Sequence, residues 1–347
     1  MVKSVLVKLA NLLGETGLYR FLCPERLPVF MLHRVMEGKS DLAGALPADT
    51  LRSYLDYLAS RDYHVLSMDD LWRVLDEGDE IPSKSVMFTI DDGFYDHHDV
   101  AASVFDEFRF PLNFFVITGL LDRELWPWDD QITYALHHTG IRHADIRLPS
   151  GEMYSVNLSA DTVRQKAREV RNALKSEHQE HIYDWLRTEL YKKLGVEFPT
   201  DIPPEYRPMS WDEARSLRAR GHGVYPHTCS HRILATLSTQ EKHHEINESL
   251  RRTKSELGYL PDVFAYPTGR LSDYDSVDIE ELKKAGFKMA FNTVSDYVRR
   301  GQDHYELARF SLPGNTDKFL QIVNRFEALN DWRTHHSPLP VSSFPSR

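Results

Sequence analysis

Short apolar runs that do not alternate with polar residues recur along this chain, separated by stretches of helical length. That rhythm constrains the fold more than any other feature. The runs are 27–33 (LPVFMLH), 85–90 (SVMFTI), 112–118 (LNFFVIT), 223–227 (GVYPH), 262–267 (DVFAYP), 288–294 (KMAFNTV) and 308–312 (ARFSL). Each is bounded by Gly, Pro, Asp or Asn, and continuous apolar character suits strands covered on both faces. Helical patterns at 48–60, 67–77, 97–108, 211–220, 238–257, 276–285 and 316–328 fill most of the gaps. Strand alternating with helix predicts an α/β fold with a mainly parallel sheet. Periodicity alone does not separate an open doubly wound sheet from a closed barrel.

Residues 122–209 break the rhythm with a long polar helical stretch and a proline-rich exit, FPTDIPPEYRP. They read as a helical insertion on one face of the sheet, so the 347 residues are expected to form one domain, 1–347. The opening segment, 1–22, reads as an amphipathic helix whose Val5, Leu6, Leu9, Leu12 and Leu13 are expected to pack on the rest of the protein. Peripheral membrane contact through this helix is the alternative. The Pro- and Ser-rich tail, 336–347, is expected to be disordered.

A net charge of -10 and a pI near 5.9 argue against nucleic acid as a partner, because phosphate-tracking surfaces need clustered Lys and Arg. Cys23 and Cys229, the only two cysteines, imply no disulfide framework. With the interrupted apolar pattern of the N-terminus, they point to the cytoplasm, with action at the inner face of a membrane as the extension of that reading.

The run 85–90 ends in Asp91-Asp92-Gly93. A carboxylate pair just past a buried strand is costly unless something cationic sits there; taken alone, a turn with Asp capping the next helix would explain it better. His227 and His231, in HTCSH, stand four apart, and on a helix they would share one face and reach a single ion. Two histidines and one carboxylate form a common catalytic zinc set with a fourth position open to water. The neighbouring aspartate would then be free to accept a proton. Position favours this over the capping reading: Asp91, Asp92, His227, Thr268 and His33 all fall where an expected strand stops. In parallel α/β folds, those carboxyl ends carry the active site.

At these residues the chain resembles the polysaccharide deacetylases of the NodB-homology type, carbohydrate esterase family 4. The resemblance rests on Thr89-Ile90-Asp91-Asp92-Gly93, on His227-Thr228-Cys229-Ser230-His231, and on flanking text such as PLNFFVITG and VFAYPTG, over roughly 27–120 and 208–325. It implies a distorted (β/α) barrel of about seven parallel strands, a glycan N-deacetylase activity, and Zn2+ or another divalent transition metal as cofactor. Asp91 would be the general base; Asp92, His227 and His231 would hold the metal. Two departures stand out. Ala265 occupies the place of the third-motif arginine that braces the base, and Arg309 is the candidate replacement. ARFSLPGN lacks the usual C-terminal histidine, whereas PVFMLHRV resembles the opening of the biofilm-polysaccharide branch, which makes His33 the candidate acid. A backbone N–H near Thr268 would stabilise the oxyanion. Trp128 and Tyr266, with Trp126 and Trp211, are candidates for stacking on sugar rings, against core packing as the plainer use of such residues. Two other activities fit the same residues: a metal-dependent amidohydrolase acting on a small amide, and a glycan-binding protein with a decayed site.

Overall fold

The structure is a computed structural model that describes residues 2–38, 42, 44–159 and 162–329, without the side chains of 2–6. The tail at 336–347 lies outside the described residues. Phe310–Ser311, Val29–Leu32, Ser85–Asp92, Asn113–Val116 and Gly223–Pro226 hydrogen-bond side by side in that order, all parallel. Val263–Ala265 and Met289–Phe291 form a separate parallel pair, and Phe291 bridges in parallel to Leu307, next to the last strand. The strands curl into a barrel whose ladder is broken between Pro226 and Val263. Two-residue His64–Val65 adds to the base of the long strand.

Alternation along the strands sorts the core into two layers. Val29, Met87, Phe115, Tyr225, Ala265, Met289 and Phe291 converge inside the barrel. Phe30, Phe88, Ile90, Phe114 and Val224 face outward and bury against the helices. Strand order also matters for the site. The first strand lies between the last one and Ser85–Asp92, so both ends of the chain supply strands on one side of the strand that carries the carboxylate pair.

The insertion is not purely helical. Around helices Trp128–His138 and Val163–Leu174 it carries an antiparallel hairpin, His143–Arg147 with Met153–Asn157. Ala144, Ile146 and Val156 alternate with exposed residues and enter a core of the insertion's own, with Trp128, Val170 and Leu190. Gly151, at φ +93, makes the turn between the strands.

The N-terminal helix departs from expectation at Leu9, Leu12 and Leu13; the side chains of Val5 and Leu6, also expected to pack, lie outside the described residues. Asn11 donates to Asp317 at 2.9 Å, Gly14 lies against Asn324, and Arg20 reaches the Tyr63 hydroxyl at 2.9 Å. Leu9, Leu12 and Leu13 point outward instead, joined by Leu18, Phe21 and Leu22 from the next turn of chain. The body offers polar groups at this contact, so the polar edge of the helix packs and the apolar edge is left open.

Candidate active site

Thr89 and Asp91 continue the inward-facing row of their strand. Asp92 should point outward by alternation, but its φ of +91 turns the side chain back over the barrel rim. Gly93 follows at φ +97, and a Cβ there would lie 2.7 Å from Leu121. The Asp-Asp-Gly sequence is thus a strand end that reverses its alternation in a space only glycine fits.

His227 leaves the strand Gly223–Pro226 with its N–H on the carbonyl of Val116 at 2.9 Å. The residues after it are not helical: Thr228 and His231 have φ of +65 and +58, and the chain makes a tight turn. The two imidazoles still meet, with ring centres 5.2 Å apart. Several groups hold that turn. Glu245, fully buried, accepts from the N–H of Cys229 at 2.8 Å, from that of Ser230 at 3.0 Å, and from Arg232 Nε at 2.9 Å. Trp128 Nε1 donates to the His231 carbonyl at 2.9 Å, and the Tyr183 hydroxyl to that of Ser230 at 2.7 Å. Gly119 packs so closely that a Cβ would sit 2.6 Å from the Cys229 carbonyl.

Asp92, His227 and His231 present donor atoms all within 4.8 Å of one another. Asp92 Oδ1 is 3.9 Å from His227 Nε2 and 3.5 Å from His231 Nε2, and it is buried without a hydrogen-bond partner. Donors at bond lengths of about 2.0–2.1 Å in a tetrahedron lie about 3.4 Å apart, so a divalent ion fits this set. His227 Nδ1 lies 2.7 Å from the carbonyl of Ala265, which fixes the tautomer with Nε2 bare. Burial, ahead of its charged neighbours, pushes the His227 pKa down to about 3, so its imidazole is neutral. On His231, burial opposes a proton, but Asp129 at 3.4 Å from Nδ1, together with Asp92 and Asp130, pushes the pKa up to about 9.

Asp91 does not contact this set directly but stands beside it. Arg309 donates to both of its oxygens at 2.8 Å, and to Thr89 Oγ1 at 3.0 Å. Burial alone would raise the Asp91 pKa; the Arg309 charge outweighs it and holds the carboxyl below its usual range. Arg309 thus holds Asp91 from inside the barrel, where both groups are buried.

His33 follows the first strand, is exposed, and lines a cleft of about 630 Å³ together with Asp92, Asp129 and Asp130. Tyr266, Trp128 and Thr268 do not line it. Tyr266 and Trp128 are 0% exposed; Tyr266 stacks on Tyr274 and donates to the Tyr305 carbonyl at 3.1 Å. Neither ring offers a face to a sugar, and Trp126 and Trp211 are buried too. Of the aromatic residues lining the cleft, Phe94 and Tyr206 are buried, while Tyr134 is half-buried and stacked on His138. Thr268, at φ +56, ties its hydroxyl to Asp273.

Sequence reasoning missed Asp129, Asp130 and Glu245. The aspartates directly follow Trp128 in WPWDD, where attention falls on the rings. Glu245 sits in a polar 19-residue helix, Thr239–Leu257, where a carboxylate reads as solvated.

A family model for polysaccharide deacetylase matches residues 78–290, more than half of the chain. No curated protein sequence matches significantly. Among solved structures, the Streptococcus pyogenes deacetylase PplD in complex with acetate aligns with a TM-score of 0.58 at 15% identity, over 86% of this chain and 97% of that one. IcaB from Ammonifex degensii aligns at 0.55 and 17% identity, over 86% and 96%. A de-N-acetylase from Aggregatibacter actinomycetemcomitans aligns at 0.56 and 14%, over 84% and 97%. At these identities the likeness is one of fold.

Proposed function

Because the chain belongs to the polysaccharide deacetylase family, we propose that it hydrolyses the acetamido group of an N-acetylated sugar in a polysaccharide, oligosaccharide or lipid-linked glycan. Asp92, His227 and His231 would hold the metal, and a set of two imidazoles and one carboxylate favours zinc. The observation that carries this reading is an arginine-held carboxylate, Asp91, on the residue adjoining an orphaned metal-ligand set. When bound, the ion would lower the pKa of a water and polarise the acetyl carbonyl.

The chain's own residues supply the rest. Asp91, kept anionic by Arg309, takes a proton from the attacking water as the water oxygen bonds to the acetyl carbon. A backbone N–H of the Thr268 turn faces the developing oxyanion. His33 gives a proton to the nitrogen as the C–N bond breaks. One water is consumed, and acetate and a free amine leave. Tyr134 is the proposed platform for a sugar ring.

The absent third-motif arginine favours a decayed, binding-only protein slightly, and the contact of Arg309 with Asp91 supports the active reading over it. The test is acetate release from a panel of N-acetylated glycans, alongside small cyclic and linear amides, by metal-stripped and zinc-restored protein. Release from a glycan only after zinc is restored is the expected result. Zinc-restored protein inert on every glycan would reject the reading, and turnover of the amides alone would establish the small-amide alternative.

We also propose that the protein works in the cytoplasm against the inner face of a membrane. What supports this is the open apolar edge formed by Leu9, Leu12, Leu13, Leu18, Phe21 and Leu22, with Lys8 exposed beside it. Among the described residues no helix is long and apolar enough to cross a membrane, so the contact is peripheral.

A further inference from the structure

The cleft beside the metal-ligand set is not evenly charged. Helix Val163–Leu174 carries Arg164, Arg168 and Arg171, and Lys175 stands at its C-cap. Spacings of four, three and four put all of them on one stripe, and the three arginines line the cleft. The inner end of the stripe reaches the site: Arg171 is 4.0 Å from Asp129, whose other oxygen is 3.4 Å from His231. Arg168, next along the stripe, is exposed and makes no ion pair or hydrogen bond among the described residues.

Two considerations make this more than a solvated helix face. Like charges at these spacings destabilise a helix by about 0.2–0.5 kcal/mol per pair, and this row stands in a chain whose net charge is -10. The cleft's other arginine, Arg34, is engaged by Asp96 at 2.8 Å and by the Glu205 carbonyl at 2.8 Å, and Arg171 faces Asp129, so among the described residues Arg168 is the cleft arginine left to meet a ligand. From Arg171, Arg168 lies about 4.5 Å and Arg164 about 10 Å further along the helix axis. An anion there would belong to a neighbouring unit of the substrate, not to the acetyl group.

We propose, building on the deacetylase reading, that the substrate is an N-acetylated glycan bearing an oxyanion group close to the acetamido sugar, with Arg168 as its main ligand. A guanidinium matches carboxylate and phosphate alike in forked geometry. The anion is therefore either a uronic acid within the glycan or a phosphate ester at its reducing end.

The test uses an Asp91→Asn background, in which turnover is slowed by about 10²–10⁴, and three probes. They are a neutral N-acetylglucosamine oligosaccharide, an oligosaccharide alternating N-acetylglucosamine with glucuronic acid, and N-acetylglucosamine on a nucleoside diphosphate. Calorimetry should give one of the charged probes a Kd at least about ten-fold tighter than the neutral one, and which one it is identifies the source of the anion. Adding Arg168→Gln, or raising the salt, should erase most of that ratio. Arg251→Gln, which removes an equal charge from an exposed position on helix Thr239–Leu257, should leave it intact. Equal binding of charged and neutral probes, binding of none, or a ratio that survives Arg168→Gln overturns the proposal. Charge-dependent binding in a protein that releases no acetate from any glycan would instead count against the deacetylase reading alone.

Discussion

Arg309 grips both carboxylate oxygens of Asp91 at 2.8 Å from a position 218 residues further along the chain. Neither group meets solvent: Arg309 is 0% exposed and Asp91 2%. The guanidinium is itself pinned, with Nε on the Asn292 carbonyl at 2.9 Å and the ring centres of Phe115 and Phe291 at 5.5 and 5.8 Å from its carbon. A forked pair inside a barrel fixes the orientation of the carboxylate as well as its charge, which is what a base aimed at one water requires.

Arg309→Lys is therefore expected to lower kcat by at least about ten-fold, because a point charge does not reproduce the fork. Arg309→Met should also destabilise the fold by about 3–5 kcal/mol, since it leaves Asp91 buried and unpaired. Zinc content should stay at the wild-type level in Arg309→Lys. Kinetics with metal analysis on the same preparation checks this, and an unaltered kcat would remove Arg309 from the mechanism.

Adjacent aspartates should fail in different ways. Asp92→Asn removes the negative charge from the group between the two imidazoles and should cost zinc retention in dialysis against a chelator. Asp91→Asn should retain zinc and lose about 10²–10⁴ in turnover, the usual worth of a positioned base. His33→Ala should retain zinc and lose turnover too. If His33→Ala keeps full activity, another group donates the proton.

The strands and the paired motifs were legible because each depends on local pattern: apolar runs, turn residues, and donors placed where strands end; closure into a barrel came only through the family resemblance, since periodicity does not distinguish it from an open sheet. What was not legible depends on which surface an element turns inward. Amphipathicity identifies two faces of helix Val2–Glu15 but not which of them docks, and Asn11 and Gly14 decided it. Trp128 and Tyr266 looked like sugar platforms because aromatics beside a motif suit that use. Their N–H and O–H groups instead find buried carbonyls, which ties them into the core. His227 and His231 converge without the helix their spacing suggested, through two residues at positive φ.

Glu245 gives a test of the support beneath the metal set. It accepts two backbone N–H groups of the Cys229–Ser230 turn and pairs with Arg232, whose Nη2 lies 2.8 Å away. Glu245→Gln cannot accept all of these and leaves Arg232 with Glu241 alone at 2.7 Å. Zinc affinity should fall by about 10–100-fold, the range for groups that orient ligands, and the melting temperature should drop. Glu248→Gln, on the outer side of the same helix, serves as the control. Unchanged zinc affinity in Glu245→Gln would show the turn to be rigid without it.

His97 predicts how stability responds to acid. It is fully buried, and burial, ahead of the opposing charge of Asp96, pushes its pKa down to about 4 from an ordinary 6.5. The folded value lies below the unfolded one, so as pH falls through 6.5 the unfolded chain takes a proton that the native state refuses. Stability from this group is intact above about pH 6.5, declines between 6.5 and about 4, and levels off below. At about 1.4 kcal/mol per pH unit the full interval amounts to about 3 kcal/mol. His97→Gln should flatten that part of the profile in urea titrations at pH 7 and pH 5, and equal slopes in both proteins would mean that His97 opens to water.

The open edge of the N-terminal helices yields the last test. Phe21 is 83% exposed and Leu12 63%, values that leave large side chains in water with no packing to lose. Burying side chains of this size in a bilayer interface is worth about 1.5–3 kcal/mol each at most, so Leu12→Glu with Phe21→Glu should weaken binding to anionic vesicles by at least about ten-fold in flotation assays. The melting temperature should hold, because neither side chain contributes to the core. If wild-type and variant float alike, or the wild type does not float, the membrane assignment is wrong. A concentration-dependent dimer in sedimentation that the double variant abolishes would show that a second copy of the chain covers this edge instead.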